Sequence, residues 1–258
     1  MPFTSPHASG SLAAILLDFD GTIAETERLG HRVAYNAAFA QSGLDWVWDD
    51  ALYGELLAVG GGKERIEHYI DNYRTDGASI IERAELIARL HERKQQIFDG
   101  LGGTMPLRPG VRRLVREACA AGVLLAIVTT AARAGVDAVL ARDPELRAAF
   151  SVIAAGDVVP KKKPAPDIYH YAVERLGVEA RSCIAVEDAP IGLAAARAAG
   201  IVTLVTVSEY TGFKDFTGAA AVLSDLGEPD APARTIAGSV PLGGVVDLEY
   251  LRDLLEPG

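Results

Sequence analysis

An apolar run at 12–17 ends abruptly at two carboxylates and a glycine. A run without polar alternation is typical of a strand that is covered on both faces of a parallel sheet. Similar runs follow at 123–128, 151–154, 183–186 and 201–207. Helical spacings of apolar residues separate them, at about 109–121, 131–141, 165–176 and 190–199. This alternation predicts an α/β fold built on a doubly wound parallel sheet.

The stretch between the first two strands has a different pattern, with apolar residues spaced by three and four. It predicts helices at about 29–42, 49–58, 63–73 and 79–98, and it places Leu29 and Val33 on the inner face of the first. We find no strand pattern from 29 to 100. An all-helical block directly after the first strand predicts a second, smaller domain.

Glycine and proline mark the return to the main domain. Five of them fall close together, at Gly100, Gly102, Gly103, Pro106 and Pro109. Such breaker-rich segments are typical of hinges. We therefore predict an N-terminal tail at 1–10, an α/β core domain at 11–28 and 104–258, and a helical insertion at 29–103.

The first strand ends at the pair Asp18 and Asp20. Side chains two apart on a strand lie on the same side, and two carboxylates there repel each other unless a cation or a shared proton intervenes. Gly21 and Thr22 add a sharp turn and a hydroxyl, which are typical of an anion site. The chemistry favours one carboxylate as nucleophile and metal ligand, and the other as general acid and base.

The motif has two other interpretations. The motif could be a strand-to-helix turn in which an aspartate caps the helix. A calcium loop is disfavoured, because its glycine stands sixth in the motif whereas Gly21 stands fourth.

Polar side chains also follow the later strands. Thr129 and Thr130 could donate hydroxyls to a phosphoryl oxygen, although taken alone such a pair is more often a simple strand-end turn. Lys163, fixed ahead of Pro164, is a better candidate for a fixed cation than its two solvated lysine neighbours. Asp188 with Asp18 would supply the oxygen ligands that Mg²⁺ prefers. Glu187 is a candidate for orienting them from behind.

Composition limits the possible partners. The chain has 258 residues, is near half apolar, and carries a formal net charge of −10. That charge argues against a nucleic-acid partner, and no apolar run approaches the length of a membrane span. Residues 1–10 lack the basic start and apolar stretch of a signal peptide, so we expect a short disordered tail there. Two cysteines, Cys119 and Cys183, predict no disulfide framework, and we expect both in the core. The segment from 225 is rich in Gly, Pro and Asp, and it predicts only a terminal helix at 248–255.

A second anion site is suggested by the glycine-rich stretch at 59–65. Three glycines precede a helix that carries Lys63 and Arg65, so free backbone N–H groups and two cations come together. The alternative is a flexible loop with solvated charges. Two anion sites that a closing lid brings together would suit a bisphosphate.

These motifs, taken in order, closely resemble the haloacid dehalogenase superfamily of phosphotransferases, in the branch of β-phosphoglucomutase and small sugar-phosphate phosphatases. The resemblance implies a Rossmann-like core with an inserted all-helical C1 cap. It implies that Asp18 is the nucleophile that forms an aspartyl-phosphate and that Asp20 is the general acid and base. It further implies that Thr129 and Lys163 hold the phosphoryl group, and that Mg²⁺ binds to Asp18, the carbonyl of Asp20 and Asp188.

A closer resemblance, to the CbbY group of that superfamily, covers about residues 12–225. It rests on Ala24-Glu25-Thr26-Glu27, on Asp45-Trp46-Val47-Trp48-Asp49, on Gly61-Gly62-Lys63-Glu64-Arg65 and on Gly156-Asp157-Val158-Val159-Pro160-Lys161-Lys162-Lys163-Pro164. It implies that the substrate-binding residues are Asp20, Glu27, His31, Tyr53, Gly61, Gly62, Lys63, Arg65, Thr129, Thr130, Arg133 and Lys163.

Two departures from the family pattern affect this set. Arg133 stands where relatives often carry asparagine, so its contact with the transferring phosphate is expected to differ. The extra Gly30 before His31 leaves open whether Glu27 or Arg28 faces the substrate. Tyr53 could also be a core residue, and His31 a surface residue near a helix start.

The CbbY group implies hydrolysis of xylulose-1,5-bisphosphate, an inhibitor of Rubisco in the Calvin cycle, by a protein of the bacterial cytoplasm or the plastid stroma. We expect a monomer whose partner is a small sugar bisphosphate. Alternatives are a β-phosphoglucomutase-type mutase, a phosphatase of another sugar phosphate or of phosphoglycolate, and an inactive sugar-phosphate-binding module.

Overall fold

The computed structural model describes residues 12–74, 80–101 and 104–256. The predicted N-terminal tail, and Gly102 and Gly103 of the predicted hinge, lie outside these ranges. Seven strands form one sheet in the order β3-β2-β1-β4-β5-β6-β7. Their bounds are β1 Ala14–Leu17, β2 Leu124–Thr129, β3 Val152–Ala155, β4 Cys183–Glu187, β5 Val202–Thr206, β6 Ala221–Leu223 and β7 Thr235–Gly238.

The strand order positions the chemistry. All neighbours are parallel except β6 and β7, which confirms the predicted parallel sheet. Leu17 at the end of β1 pairs with Ile127 on one side and Val186 on the other, so all three central strands end at the same level. The crossovers change direction between β1 and β4, and such a switch point opens a crevice at the carboxyl ends of the strands.

Helices cover both faces of the sheet. Five of the core helices are α5 Val111–Ala121, α6 Arg133–Leu140, α7 Pro144–Ala149, α8 Asp167–Leu176 and α9 Pro190–Ala198. Leu17 and Ile127 point into one apolar cluster, whereas Leu16 and Val128 point into the other. β1 and β2 are therefore covered by apolar clusters on both faces, which explains why their sequences are unbroken apolar runs.

The helices between β1 and α5 lie where the sequence predicts an all-helical insertion. After a π-helical segment at Glu27–His31 come α1 Arg32–Gln41, α2 Asp50–Leu56, α3 Gly62–Tyr73 and α4 Ile80–Leu101. Its own core is aromatic, with Tyr35, Phe39, Trp46, Trp48, Tyr53 and Tyr69 packed together. Its two connections to the sheet run side by side, since Glu25 N–H donates to the Pro106 carbonyl (3.0 Å) and Arg108 N–H donates to that of Ile23 (2.9 Å).

The predicted inner face of the first helix was wrong. Leu29 and Val33 are exposed, and the buried residues of α1 are Ala34, Tyr35, Ala38 and Phe39. The cause is the π turn, in which the His31 N–H reaches back five residues to the Thr26 carbonyl (2.7 Å) and shifts the phase of the helix.

The C-terminal part contains more structure than predicted. β6 and β7 were missed because both are short and β7 lies exposed at the sheet edge, where no apolar run is required. α7, which lies earlier in the chain, was also missed, because it is only six residues long and begins at Pro144. The terminal helix forms as α10, Leu248–Asp253. Cys183 is buried as predicted, but Cys119 is exposed on the outer side of α5.

Candidate active site

Three acidic side chains meet where β1 and β4 end. Asp18, Glu187 and Asp188 are all buried, and each offers a carboxylate oxygen within 4.8 Å of the others. Lys163 enters between them, and its Nζ donates to Asp18 Oδ1 (2.7 Å), Glu187 Oε1 (2.6 Å) and the Val128 carbonyl (2.8 Å). Tyr169 of α8 also donates its hydroxyl to Glu187. We name these three acids with Lys163 the acidic cluster.

The acidic cluster has an excess of negative charge. Burial raises the pKa of Asp18 well above its ordinary value, and the neighbouring carboxylates add to this while Lys163 opposes it. Burial and the Glu187 charge raise the pKa of Asp188 to about 8. The pKa of Lys163 is raised, because Asp18 and Glu187 outweigh the effect of its burial. The single ammonium of Lys163 does not balance the charge of three carboxylates, so a bound cation would stabilise the cluster.

The donor set suits magnesium. All side-chain donors are carboxylate oxygens, which a hard divalent cation prefers. Gly21 leaves room beside them, because a Cβ added there would lie 2.4 Å from Asp188 Oδ2. Asp18 and Asp188 would hold the ion, and Glu187, already bonded to Lys163 and Tyr169, would orient them. The side chain of Asp20 points elsewhere, so Asp20 would contribute only its carbonyl.

Asp20 belongs to a separate chain of hydrogen bonds. Its Oδ1 accepts from the Thr26 hydroxyl (2.5 Å) and lies 3.2 Å from His31 Nε2. Lys94 Nζ lies 2.8 Å from His31 Nδ1. An ammonium only donates, so Nδ1 accepts and Nε2 carries the proton that points at Asp20. Burial raises the pKa of Asp20, but His31, Thr26 and Lys94 outweigh it, and the net pKa is lowered. These contacts therefore favour the carboxylate form of Asp20 without excluding its protonation during the reaction.

The insertion adds a third group of polar residues. The Tyr53 hydroxyl donates to Glu27, and Arg65 Nη1 donates to the Tyr53 oxygen (3.2 Å). Tyr53 belongs to the core of the insertion and reaches Glu27 and Arg65 through its hydroxyl. Of the two residues that the sequence left open, Glu27 lines both cavities of the cleft, whereas Arg28 is exposed and pairs with Glu209 (2.7 Å).

Two cavities that share lining residues occupy the cleft between the sheet and the insertion. The first, about 230 Å³, lies over the acidic cluster and reaches Thr129 and Pro190. The second, about 160 Å³, lies under the insertion, and among its lining residues are Lys94, His91 and Lys162. Asp20, Glu27, Gly61, Arg65 and Thr130 line both. A molecule with two anionic ends could therefore place one in each cavity and its centre at Asp20.

Three predicted substrate residues, Tyr53, Lys63 and Arg133, do not line either cavity. Tyr53 is buried behind Glu27 and Arg65. Lys63 is exposed in the first turn of α3. Arg133 is exposed in the first turn of α6, where its Nε pairs with Asp137 Oδ2 at 2.7 Å. Gly62, at the start of α3, does line the second cavity.

The sequence reasoning missed Lys94. Lys94 is 5% exposed and shares the buried stripe of α4 with Leu90 and Phe98. In the sequence, Lys94 stands four residues after Leu90 and four before Phe98, on the apolar face of a predicted helix. A lysine on such a face is buried, and because buried lysines need a partner, this position could have been identified as a functional candidate. Thr26 and His91 carried no comparable signal.

A family model of haloacid dehalogenase-like hydrolases matches residues 12–200. The chain belongs to this family. The predicted enzyme class, a phosphatase-type hydrolase, is confirmed together with the fold. Among the helices within the described residues, none combines the length and apolarity needed to cross a membrane.

Relatives of this hydrolase include proteins from bacteria and plants. The protein CbbY of Cupriavidus necator is 45% identical over 226 residues, which cover 86% of this chain and 88% of that protein. A CBBY-like protein of Arabidopsis thaliana is also 45% identical, over 86% of this chain and 73% of that protein.

Solved structures give the same relationship. The crystal structure of CbbY from Rhodobacter sphaeroides with phosphate superimposes with a TM-score of 0.76 at 42% identity, over 83% of this chain and 94% of that chain. A mutant of the same protein was crystallised in complex with xylulose-1,5-bisphosphate, with the same TM-score, identity and coverage. The predicted resemblance to the CbbY group is confirmed.

Proposed function

We propose that this hydrolase is a Mg²⁺-dependent sugar-phosphate phosphatase that converts xylulose-1,5-bisphosphate to xylulose-5-phosphate through an aspartyl-phosphate on Asp18. The observation that carries the proposal is the pair of cavities with shared lining residues, one over Asp18 and Lys163 and one beside Arg65 and Lys94. Cationic side chains line both cavities, which suits a short molecule with two phosphate ends. The bisphosphate complex of the Rhodobacter sphaeroides relative supports this choice of substrate.

The first half of the reaction uses Asp18 and Asp20. A carboxylate oxygen of Asp18 attacks the C1 phosphorus while the bond from phosphorus to the sugar oxygen breaks. Asp20 lines the same cavity and enters this step with the proton that it took from water in the previous turnover; it gives that proton to the leaving oxygen and becomes a carboxylate. Lys163 and the Thr129 hydroxyl bind the phosphoryl oxygens. Bound Mg²⁺ would offset the repulsion between the carboxylate and the phosphoryl group.

The second half returns the enzyme to its starting state. The carboxylate of Asp20 takes a proton from water, and the resulting hydroxide attacks the phosphorus of the aspartyl-phosphate, which releases phosphate. The His31 and Thr26 hydrogen bonds favour the ionised form of Asp20 that this step needs. Positioning by the closed cleft then supplies most of the rate advantage.

A phosphate-release panel tests the substrate. Wild-type protein with Mg²⁺ is compared with Asp18→Asn on pentulose bisphosphates, hexose phosphates and phosphoglycolate. We expect the highest kcat/KM on xylulose-1,5-bisphosphate and no turnover in the variant. Glucose-6-phosphate formed from β-glucose-1-phosphate with little free phosphate would instead show a mutase. Binding without turnover would show an inactive binding module.

The cellular setting follows from the same proposal. We infer a monomer that acts in the bacterial cytoplasm or the plastid stroma and clears an inhibitor of Rubisco for the Calvin cycle. The bacterial and plant relatives support this inference. Size-exclusion chromatography with light scattering measures the molar mass in solution. The mass of a stable dimer would contradict the inferred monomer.

A further inference from the structure

A loop that follows β5 forms a fixed turn beside the acidic cluster. Ser208 N–H donates to the Thr211 hydroxyl (2.8 Å), and the Thr211 N–H donates to the Ser208 carbonyl (3.1 Å). Both side chains are buried and their hydroxyls lie 3.1 Å apart, and Ser208 is close enough to Asp188 to lower the pKa of that carboxyl, against the larger effect of burial. The base of this loop is therefore held by the same residues that shape the reaction centre.

The tip of the loop touches the helical insertion. Tyr210 donates its hydroxyl to Asp50 Oδ1 (2.8 Å), which also pairs with Arg32 Nε (3.1 Å). The Tyr210 ring stands edge-on against the Tyr53 ring at 5.5 Å between centroids. Gly54 permits this approach, because a Cβ added there would lie 3.2 Å from the Tyr210 ring.

The contact with Tyr53 leads directly to the substrate end of the cleft. Tyr53 is fully buried, and its hydroxyl donates to Glu27, whose carboxylate lines both cavities. Tyr53 sits in α2, whereas Tyr210 belongs to the sheet domain. The edge of Tyr210 therefore supports one side of Tyr53 only while the insertion lies against the sheet.

We propose that Tyr210 is a positioning residue, which holds Tyr53 and, through it, the Glu27 carboxylate in the orientation that binds the sugar. The inference rests on the proposed sugar-phosphate substrate. Asp50 is mostly solvated, with 59% of its side chain exposed, so its hydrogen bond contributes less than the ring contact. The aromatic edge, rather than the hydroxyl, then carries most of the effect.

Steady-state kinetics of Tyr210→Leu test this role on the full-length protein. We expect KM for xylulose-1,5-bisphosphate to rise about tenfold with kcat within about twofold, because a binding group is misplaced while the reaction centre is intact. Tyr210→Phe, which keeps the ring, should restore most of the affinity. p-Nitrophenyl phosphate has no sugar for Glu27 to bind, so its KM should not change.

Two further variants separate positioning from stability. Tyr250→Leu removes another buried tyrosine, remote from the cleft, whose hydroxyl donates to the Ser239 carbonyl. It should leave both KM values unchanged. In a Glu27→Gln background, Tyr210→Leu should add less than about twofold to KM, since the group it positions is already altered.

The outcomes are distinct. An active wild-type enzyme whose KM is unchanged by Tyr210→Leu overturns the positioning role and leaves the proposed function standing. If Tyr210→Leu raises KM by the same factor in the wild type and in the Glu27→Gln background, Tyr210 does not act through that carboxylate. This result also overturns the positioning role. A wild-type protein that hydrolyses neither substrate overturns the proposed function, and the positioning role with it.

Discussion

The substitution Lys94→Met removes a buried cation while keeping a side chain of similar length. Lys94 Nζ lies 2.8 Å from His31 Nδ1 and about 5 Å from the centres of the Tyr35 and Phe98 rings. Methionine can fill this space but cannot donate to His31. The ring of His31 then loses the contact that fixes which nitrogen carries the proton, and Asp20 is less firmly held as a carboxylate.

Activity and stability should respond in opposite directions. A hydrogen bond from a charged donor contributes about 1.5–3 kcal/mol, so we expect kcat/KM to fall about ten- to a hundredfold. Burial lowers the pKa of Lys94 from 10.5 to about 8, and Asp20 and Glu27 offset only part of this effect. Keeping the ammonium buried at pH 7 therefore costs about 3 kcal/mol, and the variant should be more stable by up to that amount.

The pH dependence has a defined sign. Between pH 8 and 10.5 the unfolded chain binds the Lys94 proton more tightly than the folded chain does. The stability of the wild type, relative to Lys94→Met, should therefore rise with pH through this range. The wild-type kcat/KM should decline above about pH 8, as Lys94 loses its proton, and this decline should be absent in the variant.

Urea unfolding and phosphate release, each measured from pH 7 to 10.5 on both proteins, test these expectations. Lys94→Arg is the matched control, since it keeps the charge but not the shape. A Lys94→Met protein that keeps kcat/KM within about twofold of wild type would refute the proposed chain from Lys94 through His31 to Asp20. If the stability advantage of Lys94→Met over the wild type increases between pH 8 and 10.5, the assignment of a buried charge to Lys94 is refuted.

Three more outcomes are expected. Gly21→Ala and Gly43→Ala both force alanine into a left-handed backbone (φ +78° and +74°), but only the first places a Cβ beside Asp188, so only the first should lose about a hundredfold in kcat. Native protein should expose one thiol to a disulfide reagent and unfolded protein two, since burial raises the pKa of Cys183 to about 12 while Cys119 is exposed. Chelation of Mg²⁺ should abolish phosphate release and lower the Tm. The free energy of unfolding should fall by about 2.7 kcal/mol if the Mg²⁺ concentration was a hundredfold above its Kd. Equal melting curves with and without Mg²⁺ would contradict the cation site.

The residues at the strand ends were predictable because the topology leaves them little freedom. Once β1 and β4 are neighbours in register, Asp18 and Asp188 must meet at one edge of the sheet. Both acids follow an apolar run and Lys163 precedes a proline, so local sequence was sufficient to find all three. The pairing of Lys163 with Asp18 and Glu187 then follows from charge.

The insertion was less predictable, since its helices are placed by packing rather than by a sheet. The single extra residue Gly30 forms a π turn that changes the buried face of α1 and still brings His31 to Asp20. Arg133 follows a strand end as Thr129 does, yet its neighbour Asp137, four residues on, holds it on the outer face. Spacing along the sequence does not reveal either effect.

The most direct test of the account is acid-quenched single turnover with xylulose-1,5-bisphosphate, followed by peptide mass mapping. We expect a phosphoryl group on Asp18 that appears before free phosphate and decays as phosphate is released. Asp18→Asn should show neither species. Phosphate release without any phosphorylated Asp18, or no release from the wild type, would contradict the central claim that this carboxylate is the nucleophile of a sugar-phosphate phosphatase.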